Sequence, residues 1–299
     1  MRSFSQAGQN AGMFLRAAQN NFPCRLAFLF AATVAILASG LDPAAAAPDY
    51  FARTWQVEQG LPQNKVTAVV QAHDGYLWIG TYNGLARFDG IRFTVFDDNN
   101  TPELHSSRIT SLFEADDGTL WIGTESGDVS QYKDGHFTAV PVHAKWNGGK
   151  IYAISSDEAG DVWLMNESGE LARARDGQVL TPSAGGTAKV VALTRSASGQ
   201  IWVDREGRVS LLKQGGLLPV GFEATNSATY PYIQGIAASR DGGFWVARSG
   251  GIQKWEDGKW TVNLGPAPWG WNVVSCLMET SSGVLAAGTS DSGLWLVFP

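Results

Sequence analysis

The chain has 299 residues, 35 of them glycine and 12 tryptophan, and only 17% are charged. That composition suits short strands joined by tight turns rather than a helical protein, in one large domain or two ordinary ones. A net charge of −6, with lysine and arginine scattered and never in a run, excludes a nucleic-acid partner and offers no basic stretch to a membrane surface.

The first segment reads as an address. Arg2, Arg16 and Arg25 precede the uncharged stretch "LAFLFAATVAIL" at 26–37, and Ala45 and Ala47 supply small residues at −3 and −1 of a cleavage point. Residues 1–47 are therefore predicted to be an export signal, leaving a mature chain of 48–299 in the periplasm. The apolar run at 26–41 is shorter than the ~20 residues that span a bilayer; an uncleaved anchor is the alternative. Without this segment Cys276 is the sole thiol, so no internal disulfide can form. Its neighbours Val273, Val274 and Leu277 predict a buried strand position.

Beyond residue 60 the chain paraphrases itself. "DGYLWIGTYNGLARFDG" at 74–90 returns as "DGTLWIGTESGDVSQYKDG" at 117–135. Aligning on the aromatic places Trp78, Trp121, Trp163, Trp202 and Trp245 at gaps of 43, 42, 39 and 43 residues. A sixth copy, "SSGVLAAGTSDSGLWL", puts Leu285 at the tryptophan position, 40 residues after Trp245. Each copy holds an apolar segment, an Asp-Gly or similar turn and the tryptophan segment. A glycine-bearing turn, a short alternating strand, a second turn at Asp89, Asp134, Asp176 or Asp257, and a last strand follow. Asp-Gly between alternating runs signals a hairpin in which both turn positions take positive φ. Four short strands per repeat of this length are the blade of a β-propeller. The expectation is an all-β propeller of six four-stranded blades, with an incomplete ring of seven as the alternative. Copy six stops at its third strand, "GLWLVFP", and the stretch "YFARTWQVEQ" at 50–59 resembles the fourth strands of other copies. Pairing it onto the last blade would close the circle and cover two edges.

Residues 54–97, "TWQVEQGLPQNKVTAVVQAHDGYLWIGTYNGLARFDGIRFTVFD", resemble the opening of the two-component regulator propeller family, the periplasmic sensor modules of bacterial hybrid histidine kinases and related receptors. The matched elements are the Trp55 strand, the Gly60-Leu61-Pro62 turn, "DGYLWIGT" and "NGLARFDG". "HSSRITSLFEADDGTLWIGT" matches almost as well, and later copies drift but keep the frame. The resemblance implies an extracytoplasmic input domain. Its members usually continue into more blades, an immunoglobulin-like linker domain, a membrane helix and a cytoplasmic output module. Up to Pro299 this sequence has no second apolar span, no kinase, nucleotide-binding or cyclase motif, and no helix-turn-helix. The expectation is a fragment of a longer receptor; a stand-alone periplasmic interaction propeller is the alternative.

No constellation for chemistry stands out. The four histidines, His73, His105, His136 and His143, lack metal-ligand spacing. His73 and His136 flank Asp-Gly turns and read as exposed turn residues. "DDNN" and "ADDG" lack the alternation of a calcium loop and suit turn formation by Asp. No nucleophile elbow or phosphate loop is present. Neither cofactor nor metal nor enzymatic activity is expected; a propeller lyase, the lesser alternative, would need a general base such as His105 or His143.

A ligand is expected on the face that carries the second-to-third strand turns and the connectors between blades. The turns contribute Tyr82, Glu125, Asn166, Arg205, Arg248 and Asp291. The connectors contribute aromatics outside the repeat pattern: Trp146, Tyr230, Tyr232, Trp269 and Trp271. Loop aromatics are not explained by the core period, although such rings also fold back onto a neighbouring blade. The candidate binding set is Tyr82, Trp146, Arg205, Tyr230, Tyr232, Arg248, Trp269 and Trp271. An oligosaccharide or other small periplasmic ligand suits it, since sugar C–H faces stack on Trp and Tyr while charged groups bind hydroxyls. Glycan-sensing relatives point the same way, and a protein partner or a self-dimer is the alternative.

Overall fold

A computed structural model describes residues 53–142, 149–175, 178–179, 190–205, 208–213, 216–223, 233–248, 251–266, 269, 274–291 and 293–298. The predicted leader therefore lies outside the described residues. The described residues are all-β, with short 3-10 turns at Val57–Gln59 and Pro102–Leu104. Five sheets have four strands and the sixth has three, each a simple up-and-down antiparallel meander in chain order. This is the predicted propeller. The innermost strands of blades one to six are Val66–Gln71, Ile109–Glu114, Ile151–Ser156, Val190–Arg195, Ile233–Ala238 and Val274–Glu279.

Turn chemistry sets the register. In blade one Gly75, at φ 88, lets its N–H donate to Ala72 O at 2.8 Å while the Asp74 carboxylate accepts the Tyr76 N–H at 3.1 Å. At Asp134-Gly135 and Asp257-Gly258 both residues have positive φ, the tight hairpin predicted. The counterpart in blade one is longer: the Asp89 carboxylate accepts the N–H groups of Ile91 and Arg92 at 2.7 and 2.6 Å, and Asp89 itself keeps negative φ. Those two donors hold the Asp89 carboxyl below its usual pKa.

The five tryptophans are buried at one register position, paired with Val70, Phe113, Ser155, Thr194 and Ala237 of their inner strands. In blade six that row is Met278 against Ala286. Ala286, not Leu285, therefore takes the tryptophan position, because the shared Gly-Thr pair (Gly80-Thr81, Gly288-Thr289) anchors the count. Leu285 sits one row earlier and is fully buried.

Each tryptophan reaches forward to the next blade. Trp78 lies 4.7 Å from Tyr132 and 6.4 Å from Phe137, on the outer strands of blade two. Near the axis the backbones close up: a Cβ on Gly123 would stand 2.6 Å from Ile151 Cγ2. Thr110 Oγ1 donates across the same seam to Ile151 O at 2.7 Å, as Thr67 Oγ1 does to Ile109 O at 2.8 Å. On the far face carboxylates tie blades together. Glu114 accepts the His73 N–H at 2.9 Å, and Glu279 accepts the Arg240 N–H at 2.9 Å and the Trp245 indole N–H at 3.1 Å.

Three expectations change. The stretch at 50–59 does not complete the sixth blade: residues 53–56 form no strand, and Val57–Gln59 is a 3-10 turn closed by a Gln56–Gln59 capping box, with Gly60 at φ 102. Asn64 Oδ1 accepts the Val57 N–H at 2.9 Å, and Trp55 packs edge-on against Phe88 and Phe93 at 4.7 and 5.7 Å. The segment thus folds back on the outer strands of its own first blade. Inner strands of successive blades pack together from first to sixth; among the described residues no comparable packing joins those of the sixth and first. Cys276 is accordingly exposed rather than buried, beside Met278 (57% exposed) and Leu294 (68%), because no described element covers that face of blade six.

Candidate functional site

The second strand of every blade ends on the face where a ligand was expected. Register makes Thr81, Thr124, Asn166, Arg205, Arg248 and Thr289 equivalent there. In four blades this residue closes the following turn. Thr81 Oγ1 donates to Gly84 O at 2.9 Å, Thr124 Oγ1 to Asp128 O at 3.2 Å and Thr289 Oγ1 to Gly293 O at 2.9 Å. Asn166 Oδ1 accepts the Glu170 N–H at 2.9 Å.

Blades four and five put Arg205 and Arg248 in that place. Arg248 is buried at 7% exposure, with its guanidinium carbon 4.8 Å from the centre of the Trp260 ring. Burial lowers the pKa of both arginines, because a guanidinium removed from water loses hydration of its charge. Two adjacent blades therefore carry desolvated cations where the other blades carry a threonine hydroxyl or, in blade three, the Asn166 amide.

Tyr82 lies one residue further on, in the turn itself, and is not the counterpart of the two arginines. Its N–H donates to Gln63 Oε1 at 3.1 Å. Its ring stands 5.3 Å from Lys65 Nζ and 4.5 Å from the Arg108 guanidinium carbon. Arg108 in turn donates to Glu125 through Nε. That hydrogen bond raises the pKa of Arg108 and lowers that of Glu125, with Lys150 adding to the second effect.

These cations were missed by reading for charge runs, because they are periodic. Lys65, Arg108 and Lys150 each immediately precede the inner strand of blades one, two and three. A basic residue before an apolar strand, recurring at the repeat length, was the available signal.

Trp269 is corrected as a ligand-stacking ring. It is 3% exposed and packs with Trp245, Ile252 and Val274 between blades five and six, the fold-back that loop aromatics commonly take. Trp146, Tyr230, Tyr232, Trp271 and His143 lie outside the described residues. His105, in a left-handed backbone conformation at φ 59, has Nδ1 3.9 Å from Asp128 Oδ1 on the same face. Among the described residues no group of three or more His, Cys, Asp or Glu side chains is placed to hold a metal ion.

The two component regulator propeller model matches residues 60–83 and 103–126, each running from a connector through the inner strand to the turn after the tryptophan strand. The matches cover the first two repeats of the chain. No curated protein matches it.

Solved structures share its fold at low identity. The extracellular domain of the one component system BT4673 from B. thetaiotaomicron is 19% identical with a TM-score of 0.63, covering 84% of this chain and 37% of its own. The extracellular domain of the hybrid two component system BT3049 from the same organism is 16% identical with a TM-score of 0.62, covering 82% and 35%. Virginiamycin B lyase from Staphylococcus aureus is 15% identical with a TM-score of 0.57, covering 78% and 84%. The chain thus spans about a third of the length of these two extracellular domains.

Proposed function

We propose that this chain is the ligand-sensing propeller of an exported signalling receptor, part of a longer protein that supplies the membrane helix and output module. The match of two blades to the two component regulator propeller repeat carries the reading. The export-type leader and the likeness to two extracellular domains support a periplasmic location. The proposed ligand face is the one bearing Tyr82, Arg205 and Arg248; Trp146, Tyr230, Tyr232 and Trp271, outside the described residues, stay in the proposed set on the sequence pattern alone.

An oligosaccharide is the proposed ligand. Charged donors at the strand ends suit hydroxyl or acidic groups, and aromatic connectors suit sugar faces. The experiment is calorimetry of the exported protein against an oligosaccharide panel, repeated with Tyr82→Ala, Arg248→Gln and Trp271→Ala. Saturable binding that the variants weaken upholds the site. Binding untouched by all three moves the site elsewhere. Capture of a defined periplasmic protein, with no glycan bound, replaces the sensor by an interaction module.

A catalytic reading has one observation in its favour, the overlap with a lyase over most of that enzyme's length. It would rest on His105 beside Asp128. Turnover of a streptogramin-type substrate that disappears in His105→Ala would establish it.

A further inference from the structure

On the opposite face, where the first and second strands of each blade join, a cavity of about 470 Å³ opens between blades three and four. Its volume falls in the range of small-molecule sites, roughly 300–1,000 Å³. Asp157, Glu158, Asp161 and Arg173 from blade three line it, together with Leu211 and Lys213 from blade four.

Three of these charges have structural duties. Asp157 accepts the Trp163 indole N–H at 2.8 Å and two backbone N–H groups at 3.0 Å, and Arg173 pairs with Asp161 at 3.1 Å. The side chains of Glu158 and Lys213 have no hydrogen bond or ion pair among the described residues. One free anion and one free cation therefore face the same space.

The repeat supplies its own control. A cavity of about 300 Å³ occupies the equivalent place between blades one and two, and there the counterparts of Lys213 and Glu158 are both paired. There Lys133, at the end of the third strand, binds Asp117 of its own blade at 2.7 Å. His73 of the earlier blade meets Glu114 of the later one, also at 2.7 Å.

In blade four the counterpart of Asp117 is Ser198, so Lys213, the counterpart of Lys133, loses its carboxylate. Glu158 holds the His73 position, and its expected mate is Arg195, at the Glu114 position. Arg195 turns away instead. Its Nε donates to Ser156 O at 2.8 Å and its Nη2 to Asp116 at 2.6 Å. Changes at two positions of one repeat thus leave complementary charges open across a cavity walled on one side by the partly exposed Leu211.

We propose that this cavity binds a small zwitterion of dipeptide size, its carboxylate on Lys213, its ammonium on Glu158 and an apolar side chain against Leu211. The site is distinct from the face proposed for sensing, so the two stand or fall separately.

Glycyl-leucine is the probe, titrated calorimetrically into the full chain exported from a bacterial host. Saturable binding is expected, weakened about tenfold or more by Lys213→Met and by Glu158→Gln, because each removes a contact between charged groups. Lys133→Met, in the satisfied counterpart, is expected to leave it unchanged. N-acetyl-glycyl-leucine and glycyl-leucinamide, each lacking one charge, are expected to bind as weakly as the variants do to the parent dipeptide. Those two ligands test the proposal on the unaltered protein, whatever the variants do to folding. Absence of saturable heat at millimolar dipeptide overturns the proposal, as does equal binding of the dipeptide and both its blocked forms.

Discussion

Replacing Trp78 by alanine probes the packing that joins one blade to the next. The side chain is 1% exposed and meets Phe96 in its own blade and Tyr132 and Phe137 in the following one. Burying ~200 Å² of tryptophan at ~25 cal/mol/Å² is worth ~5 kcal/mol as an upper value. Large-to-small changes of this kind cost ~3–5 kcal/mol, since the surroundings refill the void only in part. Working with ~4 kcal/mol and a urea slope of ~2–3 kcal/mol/M, Trp78→Ala lowers the unfolding midpoint by ~1.3–2 M. The assay is urea unfolding followed by circular dichroism, since the remaining tryptophans complicate fluorescence.

A midpoint shift below ~0.5 M for Trp78→Ala would refute the idea that the repeated tryptophan is the inter-blade wedge.

Gly123→Ala places a methyl 2.4 Å from Ser111 Oγ and 2.7 Å from Ile151 Cβ. It should destabilise by ~1–3 kcal/mol in the same assay, and a neutral result would mean the inner strands are not so close. His73 is held above its usual pKa, first by its hydrogen bond to Glu114 and then by that carboxylate's charge. The protonated form is favoured in the folded state, so the contribution is complete below the unfolded pKa of about 6.5 and fades as pH rises through the higher folded value. The stability difference between the parent and His73→Gln should therefore be largest in mild acid and shrink above neutrality; a difference that grows with pH contradicts the pairing. Cys276 should react with a maleimide in the native protein at a rate close to that after unfolding, and protection until denaturation would show its face to be occupied.

The legible part of this protein was the part whose contacts are local in the chain. Strands that pair within a blade are joined by turns of a few residues, so Asp-Gly and glycine positions set their register directly. Gly75 and the Asp134-Gly135 hairpin illustrate it. The tryptophan period followed, because each blade must fill the same gap against its successor. Even so, a count by resemblance slipped one residue at Leu285, and only the observed pairing of Met278 with Ala286 corrected it.

Contacts between blades join residues about one repeat apart, and a single sequence carries no signal for which face finds a partner. Tertiary structure alone decided that Trp55 packs on blade one, that Cys276 is exposed, and that Trp269 is core rather than rim. The candidate site divides the same way. Arg205 and Arg248 could be placed on the correct face by strand polarity, but their burial depends on neighbouring strands. The cations at Tyr82 arrive in part from blade two, since Arg108 lies across the seam. The unpaired Lys213 and Glu158 became visible only when equivalent grooves could be compared in space. Alternation and turn residues specify each sheet through hydrogen bonds between chain neighbours, whereas the charge balance of a groove depends on side chains that two different repeats bring together.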